Sequence, residues 1–308
     1  MSALTRRRFL TITACMALAG SSRPDAPAPR VTWRGAALGA DVSITLDGPD
    51  HLTRPLLARA RLEIEAHEAR FSLFRADSDL VRLNRQGHLP DLDPRWRDLL
   101  ALSDRLHRET GGVFDPSIQP LWLAHATGGD LAAARALVGW TRVTLPSATR
   151  RGLRLARGQA LSFNGIAQGA ATDAVRRLLR AGGLTRVMVD IGETATLGGP
   201  WRLGLADPAQ GIFATVDLSD GALAISSPAA LSLGRGADHI LHPAGQGQAK
   251  WSSVAVIAED AALADGLSTA ACFMSSDALR ACAQRLGGIS RIVLLDRNGR
   301  SESLSIPL

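Results

Sequence analysis

Residues 261–274 read AALADGLSTAACFM. Small apolar residues dominate the run and no proline interrupts it, so it reads as one helix. Asp265 and Thr269 stand four apart on it, one above the other on one face. A carboxylate over a hydroxyl is a pair of hard oxygen donors of the kind Mg2+ or Ca2+ accepts. The same pair also suits a plain core helix, with the threonine bonded to its own backbone and the aspartate to an arginine. Gly266 costs about 1 kcal/mol in mid-helix, which makes sense where something must approach closely.

Outward from this helix, strands come in runs with helices between the runs. Val31–Leu46 alternates in the strand manner, with Gly39 breaking it. Thr53–Arg70 is amphipathic, with Leu56, Ala60, Ile64 and His67 on one stripe. Asp93-Pro94 and Asp115-Pro116 each place a cap before a first-turn proline, and a short helix follows Gly128-Gly129-Asp130. Leu153, Leu155 and Leu161 read as strand positions, and residues 170–181 as a helix. Strands are predicted at 186–191, 201–205, 212–218, 222–226, 239–241 and 253–258, a helix at 277–286, and a closing hairpin through Asp296-Arg297-Asn298-Gly299. Runs of this kind predict an α+β fold of antiparallel sheets with packed helices, not a doubly wound one.

The 308 residues suffice for a large core, and 46% apolar with 21% charged is ordinary globular composition. Lys250 is the only lysine, and there is no tyrosine. Arg6, Arg7 and Arg8 precede a short apolar run and lie in a segment without acids. That layout is similar to a twin-arginine export signal over residues 1–22, and RPDAPAPR (23–30) reads as a disordered leader. Removing residues 1–22 lowers the net charge from +6 to +3. The remaining arginines are scattered among acids, which speaks against nucleic acid as a partner. Cys272 and Cys282 fall at apolar helix positions and read as small buried hydrophobes; spacing does not decide a disulfide.

Two further clusters bear chemistry. Asn164-Gly165-Ile166-Ala167-Gln168-Gly169 opens a helix, where backbone N–H groups can face phosphate oxygens. His239-Ile240-Leu241-His242 has zinc-like spacing, but on a strand residues three apart point to opposite faces. A single histidine acting in proton transfer or phosphate binding fits better. No G-x-S-x-G or H-E-x-x-H is present.

In order and spacing, the segments LGADVSITL (38–46), FSLFRADSDLVRLN (71–84), GGVFDPSIQPLW (111–122), FNGIAQGAATDAVRRLL (163–179), VDIGETATLGGPWRLGLADP (189–208), DHILHP (238–243) and ADGLSTA (264–270) resemble the ApbE-type flavin transferases. The resemblance covers nearly all of residues 31–308 and implies a T-fold-related architecture. It implies Mg2+-dependent transfer of FMN from FAD to a Thr or Ser hydroxyl of a target protein, with release of AMP. It places Asp265 and Thr269 as metal ligands with the Gly165 carbonyl. Leu38, Phe74, Val113, Phe114, Asp115, Ser162, Gln168 and Ile240 fall at flavin-nucleotide contacts, and His239 falls beside the pyrophosphate. His239 is then the candidate general base, with Asp115 second.

The chain departs from the family pattern in places. Ser162 stands where Asp is usual, Gln168 where Lys or Glu is usual, and His242 where Asp is usual. Asp190-Ile191-Gly192-Glu193-Thr194 replaces Asn-x-Gly-Gly-Asp. The expected setting is the periplasm, with an exported or membrane-anchored redox protein as acceptor. Two alternatives remain at this level: an FAD pyrophosphatase giving FMN and AMP, and a non-catalytic flavin-nucleotide binding protein.

Overall fold

The structure, a computed structural model, describes residues 29–307 apart from 148, 150 and 246. The expected export signal and nearly all of the expected leader lie outside those residues. In chain order the elements are β1 (Arg30–Ala37), β2 (Ala40–Asp47), α1 (Asp50–Phe71), α2 (Asp79–Gln86), β3 (His88–Leu89), α3 (Pro94–Glu109), α4 (Gln119–Thr127) and α5 (Leu131–Ala136). After these come β4 (Leu153–Arg154), α6 (Ala167–Ala181), β5 (Val187–Ile191), β6 (Thr194–Leu197), β7 (Trp201–Asp207), β8 (Gly211–Leu218) and β9 (Ala222–Ser226). The chain ends with β10 (Ser253–Ala258), α7 (Ala261–Ala271), α8 (Ser276–Leu286), β11 (Ile289–Leu295) and β12 (Ser301–Ser305).

Eight strands make one sheet in the order β1-β2-β5-β6-β9-β10-β11-β12, antiparallel at every junction. Successive side chains of a strand face opposite ways, and the central strands use both faces. Ala224, Val254 and Val256 join the large core shared with the helices. Leu223, Ile225 and Ala255 pack instead against Leu203, Leu205 and Val216 of the β7–β8 hairpin. Helices therefore cover one face and a hairpin the other, which is why β9 is buried at every position.

Helix α7 lies among α3, α6, β9 and β10 and is buried all round except at Thr269. Its small residues permit that depth. Adding a Cβ to Gly169 would drive it into the backbone of Ala261 and Ala262, so α6 and α7 touch main chain to main chain. A Cβ on Gly266 would strike Leu106 of α3. The close approach at Gly266 is thus made by a core leucine.

The N-terminus of α7 is capped from another element. Its own cap residue, Asp260, makes no capping bond with its side chain. Asp173 of α6 accepts hydrogen bonds from the Ala261 and Ala262 amides, both at 2.9 Å. Arg176 donates to Asp173 at 3.1 Å, to the Glu259 carbonyl at 2.7 Å and to Asp260 at 3.1 Å. Two of the first orphan donors of α7 are satisfied this way.

Several sequence-based boundaries shift. The leader ends earlier than 30: Arg30 already belongs to β1 and forms a bidentate pair with Asp47. Leu155 and Leu161 are not in strands. Leu161 exchanges two hydrogen bonds with the Asn84 side chain, at 2.7 and 2.9 Å, which takes the place of a ladder. His239–Leu241 is a loop, because its backbone is tied to the turn at 228–231. Helix α7 ends at Ala271, where Phe273 and Met274 donate to carbonyls three residues back. Cys272 and Cys282 are buried free thiols.

Candidate active site

One cavity of 720 Å³ opens between the helical layer and the β1–β2 end of the sheet. Leu38, Phe74, Val113, Phe114, Asp115 and Ser162 line it, as do Gly165, Gln168, His239, Ile240, Asp265 and Thr269. These are the twelve candidate site residues, brought together from six separate stretches of chain.

Asp265 is 3% exposed. Its Oδ2 accepts a hydrogen bond from the Gly169 amide at 3.1 Å. Burial first, with Asp173 adding to it, pushes this carboxyl up to about 8. Gly165 sits against Thr269: a Cβ there would come within 2.7 Å of Thr269 Oγ1. Ser226 Oγ lies 3.5 Å from the same hydroxyl. A divalent cation fits this donor set, because a carboxylate oxygen, a hydroxyl and a neighbouring main chain are all hard oxygen donors. Among the described residues no group of three or more His, Cys, Asp or Glu could hold a metal ion. The set therefore suits an ion that keeps water or takes phosphate oxygens, as Mg2+ does.

His239 is fixed by its own loop. Its amide donates to the Pro228 and Leu231 carbonyls, at 3.2 and 3.1 Å. Its Nδ1 lies 2.8 Å from the Pro228 carbonyl. A carbonyl only accepts, so Nδ1 carries the proton and Nε2 is left as the acceptor. Burial lowers the pKa of this imidazole. His242 does not line the cavity; its Nδ1 accepts from the Ala244 amide at 3.2 Å and its ring meets Phe273 edge-on. The two histidines serve separate local structures and form no zinc pair.

Asp115 lines the cavity, but its carboxylate is engaged. Oδ1 accepts from the Ser117 amide and hydroxyl at 2.8 and 2.6 Å, and Oδ2 from the Trp140 amide at 3.1 Å. It caps the short turn at Pro116–Ile118. That network gives Asp115 a structural duty.

The rim is apolar. Phe74 is 45% exposed, so it is no core residue. It packs beside Gly39 at the β1–β2 turn. There Leu38 (φ 51°) and Gly39 (φ 82°) both take the left-handed conformation. Leucine is rare there, and the strain costs about 1–3 kcal/mol. Gln168 Nε2 donates to the Leu38 carbonyl at 3.3 Å and its amide packs on Gly192. Gln168 thus ties α6 to two turns around the cavity.

Sequence reading passed over Asp41, Asp190 and Glu193 as site residues, yet all three line the cavity. Burial raises the pKa of Asp190 to about 7, and raises Glu193 well above its usual range with help from Asp265 and Asp190. The replaced Asn-x-Gly-Gly-Asp segment was the available signal.

Comparisons with known proteins bear on the family and the fold. The ApbE family profile matches residues 38–293. The chain is 26% identical to the FAD:protein FMN transferase of Klebsiella pneumoniae (strain 342), over 86% of each chain. It is also 26% identical to that of Rhodobacter capsulatus, covering 91% of this chain and 58% of the relative. Among solved structures, the flavin transferase ApbE from Vibrio cholerae superposes with a TM-score of 0.78 at 22% identity, covering 91% of this chain and 98% of that one. The apo flavinyl transferase ApbE of Pseudomonas stutzeri gives a TM-score of 0.75 at 25% identity, over 91% and 95%.

Proposed function

The chain belongs to the ApbE family, and on that premise we propose that it transfers the FMN half of FAD to a serine or threonine hydroxyl of an acceptor protein, releasing AMP. The observation that carries this reading is the cavity itself. Residues from six stretches meet around 720 Å³, with a buried oxygen-donor pair and an imidazole among them.

Asp265, Thr269 and the Gly165 carbonyl would hold Mg2+. When bound there, the ion supplies neutralisation of the pyrophosphate and of the charge that builds on the departing phosphate. Nε2 of His239 takes the proton of the acceptor hydroxyl. The hydroxyl oxygen bonds to the FMN phosphorus, the bond from that phosphorus to the AMP oxygen breaks, and AMP leaves with that electron pair. The lowered pKa keeps His239 neutral near pH 7, as a base must be. The apolar rim at Phe74 gives a flat ring system a wall to lie on.

The test is direct. Full-length protein, FAD, Mg2+ and an exported flavoprotein should yield covalent flavin on the acceptor. EDTA should abolish the product, as should replacing the acceptor hydroxyl residue by alanine. FAD binding with no label on any acceptor, and FMN released instead, would favour the pyrophosphatase reading.

We also place the reaction outside the cytoplasm, on the strength of Arg6 and Arg7 before the apolar run. Replacing both by lysine should retain the protein in the cytoplasm, as read by cell fractionation. Normal export of that variant would remove the argument.

A further inference from the structure

Three oxygens within five residues have no partner. Asp190 Oδ1, Glu193 Oε2 and Thr194 Oγ1 are buried and make no hydrogen bond among the described residues. They flank the β5–β6 turn, where Asp190 and Thr194 face each other across the strands. Buried polar atoms are nearly always paired, and an orphan costs about 1–3 kcal/mol. Half of each carboxyl is looked after: the Ile225 amide supports Glu193 and the Gly192 amide supports Asp190. Among the described residues nothing donates to the free halves, which suits them to a donor or a cation from outside the chain.

Glu193 carries the inference furthest. It is 6% exposed and lines the same cavity as Asp265, Thr269 and Gly165. The charge that bears on it most is Asp265. Among the described residues no arginine or lysine is hydrogen-bonded or ion-paired to it. A buried carboxylate facing a second carboxylate is unfavourable until a positive charge arrives between or beside them. Water held by a divalent ion is such a donor, polarised by the ion itself.

We propose that Glu193 is a positioning residue for the divalent cation, its free oxygen accepting a hydrogen bond from water on the ion held by Asp265 and Thr269. This rests on the cation reading above. Partners of this outer kind orient the ligands and tune affinity, and losing one typically costs 10–100-fold. Asp190 faces the same cavity and contributes a second acceptor there.

The experiment titrates metal-stripped full-length protein with Mn2+ or Mg2+ by calorimetry, without FAD or acceptor. Glu193→Gln should bind the ion about 10–100-fold more weakly than the wild type. Its melting temperature in EDTA should equal or exceed the wild-type value, since a neutral amide replaces a buried acid. Unchanged ion affinity in Glu193→Gln, with the wild type binding normally, overturns the inference and leaves the proposed function standing. So does weakened FAD binding with unchanged ion affinity, which would assign the orphan oxygen to hydroxyl or amine donors of the nucleotide. If the wild type binds neither ion, the cation reading fails and this inference fails with it.

Discussion

At the scale of single residues, His239 has one defined tautomer because a carbonyl holds its Nδ1. Replacing it by alanine removes the acceptor for the hydroxyl proton. The expected result is a fall in kcat of about 10²–10⁴-fold, with little change in KM for FAD, measured by the rate of covalent flavin formation. The sign of the pH dependence follows from burial, which lowers the imidazole pKa. Protonation disables the base, so kcat/KM falls as pH drops. That limb should lie below the ordinary histidine value near 6.5; a limb above it would argue against His239. Gly165 is a second point of control. Alanine there would crowd Thr269 Oγ1, so Gly165→Ala should weaken Mg2+ binding in a calorimetric titration while the fold is kept. The sequence made both residues visible as candidates. It did not show that Asp115 is consumed by the Ser117 and Trp140 bonds, because that partner lies 25 residues away in a loop with no periodic pattern.

At the scale of elements, the decisive unit is α7 with its borrowed cap. Asp173→Ala removes both acceptors for the Ala261 and Ala262 amides and strips Arg176 of a buried partner. Breaking a buried pair of this kind costs about 3–5 kcal/mol, and chemical denaturation should show it. Gly266→Ala sets two effects against each other. Helix propensity gains about 1 kcal/mol, while overpacking against Leu106 costs about 1–3 kcal/mol. Leu106 is fully buried and cannot swing away, so the net effect should be destabilising in the same assay. Helix spacing announced the Asp265 and Thr269 face. It did not announce Asp173, which lies 88 residues upstream of Ala261 and meets α7 only because α6 and α7 pack backbone to backbone.

At the scale of the whole molecule, the cavity sets a lining rich in carboxyl groups, which burial keeps from ionising fully until a cation arrives, against a negative substrate. Asp41, Asp115, Asp190, Glu193 and Asp265 line it, while Arg34 and His239 are its basic residues. A dinucleotide with a charged pyrophosphate should therefore bind poorly alone and well with a divalent ion. FAD titrations in EDTA and in Mg2+ should differ accordingly, and equal affinity would contradict the electrostatic picture. The stability readout is linked: at about 100 times Kd, a ligand binding only the folded state adds about 2.7 kcal/mol. Chelation should remove that gain from denaturation curves.

The sequence by itself determined the class of fold, most element positions and a set of candidate residues that line one cavity, because these depend on local periodicity, capping and motif order along the chain. Only the tertiary structure decided that His239 sits in a loop with Nδ1 held by the Pro228 carbonyl, that Leu106 fills the approach at Gly266, that Asp173 caps α7, and that Glu193 lines the same cavity as Asp265. Each of these is a contact between segments distant in sequence. It is fixed by how a two-faced sheet and its helices close upon one another, and no local pattern encodes that closure.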